Sequence, residues 1–200
     1  MAVIDGSAGA TQFDFFLDAN KVTASPLAQG TYLSYFTAYS GAHAANFYQS
    51  NTSTLVARDS INLTPNNYYS LFLTKTTGGT ADFLLLKDSL SRPATGGISV
   101  RLVNLSADAG GVDMFVKGNA TKLAINQGYK GVSVFAAATV NPADTLQIVK
   151  TGTSTLLASV PCKNISTNGV YTVWLYGFAS PADATQKLAA GLMANGFYNN

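Results

Sequence analysis

One cysteine, one histidine and one tryptophan stand among 200 residues, and charged side chains make up only 11%. The lone Cys162 excludes an internal disulfide and a cysteine-based metal cluster. It reads as a small buried side chain in or beside a strand. The lone His43 lacks the partners that a histidine zinc site or a conventional nucleophile triad requires. Its Gly/Ala-rich surroundings read as a solvated loop. No Lys/Arg cluster interleaves with aromatics, so a nucleic-acid partner is not expected, and the net charge of +2 is thinly spread. No apolar run approaches the roughly 18–20 residues that cross a bilayer as a helix. No secretory leader precedes Val3-Ile4, and Met1 fits a start on a mature or truncated chain. Neither a P-loop nor a dinucleotide-binding glycine pattern opens a helix, and no serine sits in a nucleophile elbow. Catalytic residues, metal ligands and cofactors are therefore not expected.

What is present is apolar and rich in turn formers: 47% hydrophobic residues, 18 Gly, 10 Tyr and 11 Phe. With charge far below the roughly 25% of an ordinary domain, the polar surface falls to Ser, Thr, Asn and Gln. Phe13, Phe15 and Leu17 alternate with Asp14, Phe16 and Asp18, the pattern of a strand with one buried face. Phe16 breaks the alternation and is a candidate for contact beyond its own unit. Further strands are expected at 2–4, 32–39, 46–49, 54–59, 68–74 and 81–86, punctuated by Gly, Asn and Pro turns. This spacing predicts an all-β protein built from antiparallel sandwiches, immunoglobulin-like or of a related Greek-key order.

The chain also repeats itself. Val112-Asp113-Met114-Phe115-Val116 restates Phe13-Asp14-Phe15-Phe16-Leu17, and Gln127-Gly128 restates Gln29-Gly30. Thr155–Ala158 restates Thr54–Ala57, and Tyr171–Leu175 restates Tyr69–Leu73. Landmarks in constant order and at nearly constant spacing indicate duplication. We expect a first sandwich at 1–90, a linker at 91–97 within the Ser/Pro/Gly-rich stretch 88–97, and a second sandwich at 98–200. The last strand is expected at 187–192, with Phe197–Asn200 either loose or covering an edge.

The unit VRLVNLSADAGGVDMFVKGN, with Val103-Asn104, Ser106-Ala107-Asp108-Ala109, Val112-Asp113-Met114-Phe115 and Gly118, resembles the DUF4397 family, a domain of unknown function. Ala107 stands where that family often has proline. Ser7-Ala8-Gly9-Ala10 has lost the counterpart of Asp108. The resemblance implies two tandem copies in a secreted or outer cell-envelope protein of the Bacteroidota kind. A lipid anchor on a longer precursor is compatible with it, and it implies no established catalysis. Three acidic-Ser/Thr-aliphatic triplets, at 59–61, 88–90 and 144–146, look like O-glycosylation acceptors of that group. Asn51, Asn62, Asn104, Asn119 and Asn164 head Asn-X-Ser/Thr triplets.

Individual residues admit two readings each. Asp14 and Asp113 are either structural carboxylates holding loops or side chains turned outward by alternation. Asp108 with Asp113 and the Gly110-Gly111 carbonyls supplies too few oxygens for calcium, against a plain turn with Gly118 as the second turn glycine. Tyr32, Tyr35 and Tyr39 are candidates to face a ligand, since tyrosine stacks on sugars and packs in interfaces, although β-propensity alone places tyrosine in strands. Trp174 reads as core or interdomain packing. The function expected is a non-catalytic extracellular or envelope module for adhesion, assembly or spacing, with a surface glycan or an envelope or matrix protein as partner. The alternative is a carbohydrate-binding protein associated with surface glycan capture.

Overall fold

The computed structural model describes residues 1–198 and divides into two compact units, Met1–Ser89 and Leu90–Asn200. The first holds strands β1 (Ala2–Asp5), β2 (Phe13–Leu17), β3 (Asn20–Lys21), β4 (Tyr32–Leu33), β5 (Gly41–Gln49), β6 (Leu55–Leu63), β7 (Tyr68–Lys75) and β8 (Ala81–Asp88). The second holds β9 (Ile98–Asn104), β10 (Val112–Val116), β11 (Lys122–Gln127), β12 (Ala136–Ala138), β13 (Thr145–Lys150), β14 (Leu156–Pro161), β15 (Gly169–Tyr176) and β16 (Ala189–Phe197). Two single 3-10 turns, Cys162–Asn164 and Ala184–Gln186, complete the regular structure of the described residues.

Each unit is a sandwich of two four-stranded sheets. Their orders are β4-β1-β7-β8 and β3-β2-β5-β6 in the first, β12-β9-β15-β16 and β11-β10-β13-β14 in the second. Adding eight to each strand number of one unit reproduces the other. Pairing is antiparallel except that β1 runs parallel to β7 and β9 parallel to β15. This qualifies the antiparallel expectation, and the order is not the immunoglobulin one. There the first two strands share a sheet; here β1 and β2 lie in different sheets, which makes this a related sandwich.

The alternating aromatics explain why the sheets close on each other. Phe13, Phe15 and Phe47 from one sheet and Val3, Leu71 and Leu73 from the other belong to one buried cluster. The Phe47 ring lies 4.9 Å from Phe15 and reaches across to Phe83 at 5.8 Å. Full burial of each such ring contributes about 1.5–3 kcal/mol. In the second unit Val112, Met114, Leu146 and Ile148 face Val100, Leu102, Val173 and Leu175 in the same way. A tyrosine at the entry to β7 and to β15 ties the preceding loop. The Tyr69 hydroxyl accepts from Thr64 N at 3.1 Å, and the Tyr171 hydroxyl from Ser166 N at 2.7 Å.

Several expectations shift in detail. The strand foreseen at 32–39 shrinks to Tyr32–Leu33, because the aromatic run is held by separate contacts after its first two residues. Phe16 does not need a distant partner, since its ring meets Tyr48 edge-on at 5.1 Å on its own sheet. Asp88, read as the start of the linker stretch, is the buried last residue of β8. Gln127-Gly128 is not the structural counterpart of Gln29-Gly30. Gly30 (φ 75) instead answers to Lys130 (φ 57), because Gly30 N donates to Asp5 O and Lys130 N to Asn104 O, both at 2.7 Å. The final strand runs later than foreseen, Ala189–Phe197, and the Phe197 ring packs 6.0 Å from Tyr171. Asn199 and Asn200 lie outside the described residues.

Candidate functional site

The acidic residues singled out in the sequence hold loops. Asp113, outward on β10 between Val112 and Met114, is 1% exposed. Its Oδ1 accepts from Asn126 N at 2.8 Å and from the Thr151 hydroxyl at 2.7 Å, and its Oδ2 from Lys122 Nζ at 2.6 Å. Burial opposes its charge, but Lys122, Asn126 and Thr151 outweigh that and hold the carboxyl below its usual range. Asp14 takes the matching place on β2, with Lys21 Nζ at 2.9 Å and Asn51 N at 3.3 Å. Asp108 accepts from Ala179 N at 2.7 Å and Ser180 N at 2.9 Å, and from the Ser106 hydroxyl at 3.2 Å. Asp108 and Asp113 thus each fasten their own loop. Among the described residues no three His, Cys or Asp side chains gather as a metal would need. Gly118 (φ 82) takes the left-handed turn after β10, closed by Asn119 N to Val116 O at 2.9 Å.

His43 is not a solvated loop residue but lies on β5, its side chain 11% exposed. The ring sits between Asp18 Oδ2 at 2.8 Å and the Tyr39 carbonyl at 3.0 Å. Hydrogen bonding to Asp18 raises its pKa and lowers that of Asp18, so the pair clasps the β2–β3 turn to β5. Cys162 is fully buried just after β14. Trp174 is fully buried as well and stands on the face of β15 opposite Val173 and Leu175, directly against Gly191 of β16. Asn104 is fully buried too, which removes it as a glycosylation acceptor.

The three candidate tyrosines occupy different surroundings. Tyr32 is half-buried on β4 and pairs in register with Ile4. Tyr39 is 89% exposed just before β5, in the other sheet's half of the unit. Tyr35 is joined instead to Tyr68, the first residue of β7, at 5.4 Å and 83° between planes. Its hydroxyl donates to Asp88 Oδ2 at 2.7 Å, where the Ser70 hydroxyl also donates at 2.8 Å. Neither Ser70 nor Asp88 is a site candidate in the sequence, although Tyr68 and Asp88 are direct cross-strand partners. The result is an edge-to-face aromatic pair anchored on a buried carboxylate, with the Tyr68 ring half open to solvent. Beside it lies an open cleft of about 390 Å³ lined by Phe36, Thr37, Ala38 and Asn67 in addition to the two rings. An aromatic face next to amide and hydroxyl groups can stack on an apolar face of a ligand and hydrogen-bond its rim.

No curated protein matches the chain. A solved structure described as alpha-glucan recognition by family 41 carbohydrate-binding modules from streptococcal virulence factors is 11% identical. The overlap covers 96% of this chain and 95% of that one, at a TM-score of 0.28, a likeness too slight to bear on the site. A family model described as a domain of unknown function, DUF4397, matches residues 1–115. That span takes in β1 through β8 and continues through β9 into β10, where Val103-Asn104 and Val112-Asp113 stand. The chain belongs to the DUF4397 family.

Proposed function

We propose that this is a non-catalytic module of the cell surface, secreted or held at the outer envelope, that serves adhesion, assembly or spacing. The observation that supports it is the use made of the polar side chains. Asp14, Asp18, Asp108 and Asp113 each fasten a loop to its sheet through lysine, histidine or backbone N–H donors. Groups committed in this way give rigid, defined loop ends, which suits recognition or spacing better than proton transfer. Low charge and a surface of Ser, Thr and Asn fit an extracellular setting.

A second reading, capture of a surface carbohydrate, is favoured by the Tyr35–Tyr68 pair beside its polar cleft. One experiment separates the two. The folded chain is tested for saturable binding on an array of glycans and extracellular-matrix proteins. The leading reading expects a protein partner whose binding is unchanged in Tyr68→Ala. A glycan whose affinity falls at least about tenfold in Tyr68→Ala, a loss typical of a stacking aromatic anchor, would replace it with the carbohydrate reading.

A further inference from the structure

At the end of the first strand the two copies share the same main chain but carry different polar side chains, both fully buried. Asp5 ends β1 opposite Leu73, and Asn104 ends β9 opposite Leu175. Asp5 N donates to Thr31 O and Asn104 N to Gly131 O, both at 3.0 Å. The following N–H, of Gly6 or Leu105, donates to the carbonyl of Leu73 or Leu175 at 2.9 and 2.8 Å. Two residues on, Ser7 N donates to Asp5 Oδ1 at 2.9 Å and Ser106 N to Asn104 Oδ1 at 3.0 Å.

The other side-chain atom is where they part. Asn104 Nδ2 donates to the carbonyls of Gly110 at 3.0 Å and Gln127 at 2.9 Å, tying the turn before β10 and the end of β11 to the end of β9. Register places Thr11 and Leu27 at the corresponding positions, since Phe13 pairs with Leu27 as Val112 pairs with Gln127. An amide nitrogen is a donor and a carboxylate oxygen is not. Asp5 Oδ2 is buried with no hydrogen-bond partner among the described residues.

We propose that Asp5 works as a neutral carboxylic acid, its Oδ2–H standing in for the Asn104 amide as donor into the rim loops. Loss of that proton then loosens the 6–12 and 27–31 segments of the first unit. A protonated carboxyl kept in an apolar site so that it can donate a hydrogen bond is well precedented physical chemistry. Burial raises the Asp5 pKa from its ordinary 3.8 to about 6, against the Ser7 hydrogen bonds and the charge of Lys75, which lower it. The titratable groups on the strands packed against β1 are Lys75, Tyr68 and Tyr69 of β7 and Tyr32 of β4. Neither the 6–12 nor the 27–31 segment carries one. A group that holds its proton more tightly when folded contributes fully below its unfolded value. That contribution is lost as pH rises through the folded value, here between about pH 4 and 6. The loop it secures also forms, through Ala10, Thr11 and Gln12, one wall of an open polar cleft completed by Gln49, Ser50 and Asn51.

The test is carbon-detected carboxyl NMR of the full chain, with thermal unfolding from pH 4.5 to 8. Asp5 is expected to titrate near 6, and Asp5→Asn to raise the pH 7.5 melting point of the first unit by roughly 5–10 °C. The variant should also flatten that unit's pH dependence. The reciprocal Asn104→Asp should lower the melting point of the second unit at pH 7.5 and recover much of it at pH 5. An Asp5 carboxyl titrating at its ordinary value overturns the proposal. So does an Asp5→Asn protein less stable than wild type at pH 7.5, or an Asn104→Asp protein whose stability does not recover on acidification.

Discussion

Replacing Gly191 by alanine is expected to destabilise the second unit by about 3 kcal/mol, among the larger effects open to a single added methyl group. Gly191 stands opposite Trp174 in the β15–β16 ladder, and a β-carbon there would fall inside the van der Waals surface of the indole ring. The ring has no free side to move to, because Trp174 is fully buried. Relief has to come from bending β16 or from forcing the indole out of its rotamer, and close-packed interiors resist both. Calorimetry of wild type and variant reads the loss directly. The mechanism is checked by a double-mutant cycle with Trp174→Phe, where the smaller ring leaves room for the methyl. A coupling of at least about 1 kcal/mol is expected. Additive losses would mean that Gly191 matters for backbone reasons unconnected with the indole.

The second large effect is expected at Asp113. Asp113→Ala removes the acceptor of Asn126 N, the Thr151 hydroxyl and Lys122 Nζ together, and is expected to cost about 3 kcal/mol. Chemical unfolding measures it, and Asp113→Asn should recover part of the loss by keeping an oxygen for the Asn126 N–H. Acid acts with the same sign. A carboxyl held below its usual range stabilises above its unfolded value, and that share is lost as pH falls through the depressed folded value. Asp113 therefore weakens the second unit in acid, while Asp5 weakens the first as the medium approaches neutrality.

The side chains made one level of the architecture legible and left another hidden. Alternation at Phe13, Phe15 and Leu17, and again at Val112, Met114 and Val116, announced strands with one apolar face, and their repetition announced duplication. The parallel pairing of β1 with β7 could not be read, because main-chain hydrogen bonds define it and alternation says only which face is inside. The same limit explains the misaligned Gln-Gly dipeptides: the matching feature is a left-handed residue, which one copy supplies as Gly30 and the other as Lys130. His43 was masked by its small neighbours, since Gly41, Ala42, Ala44 and Ala45 resemble a loop until β6 is in place to pair with them. Of the candidate site, Tyr35 was visible as one of many tyrosines. Its partner Tyr68 on β7 and its anchor Asp88 on β8 are brought to it only by the pairing of the sheet, which side-chain alternation does not encode.

The parallel pair also fixes when each unit can be finished. The first strand of a unit is an inner one, bonded on one side to a strand of only two or three residues and on the other to the seventh, so Ile4 waits for Phe72 and Val103 for Trp174. Hairpins such as β5–β6 and β7–β8 can zip locally, but the sheet holding β1 stays open until nearly the whole unit has been synthesised. Closing so long a loop is entropically costly and slow. Until then an apolar strand with unsatisfied edges lies exposed, the condition under which a repeated chain is most prone to lend the first strand of one copy to the seventh of another.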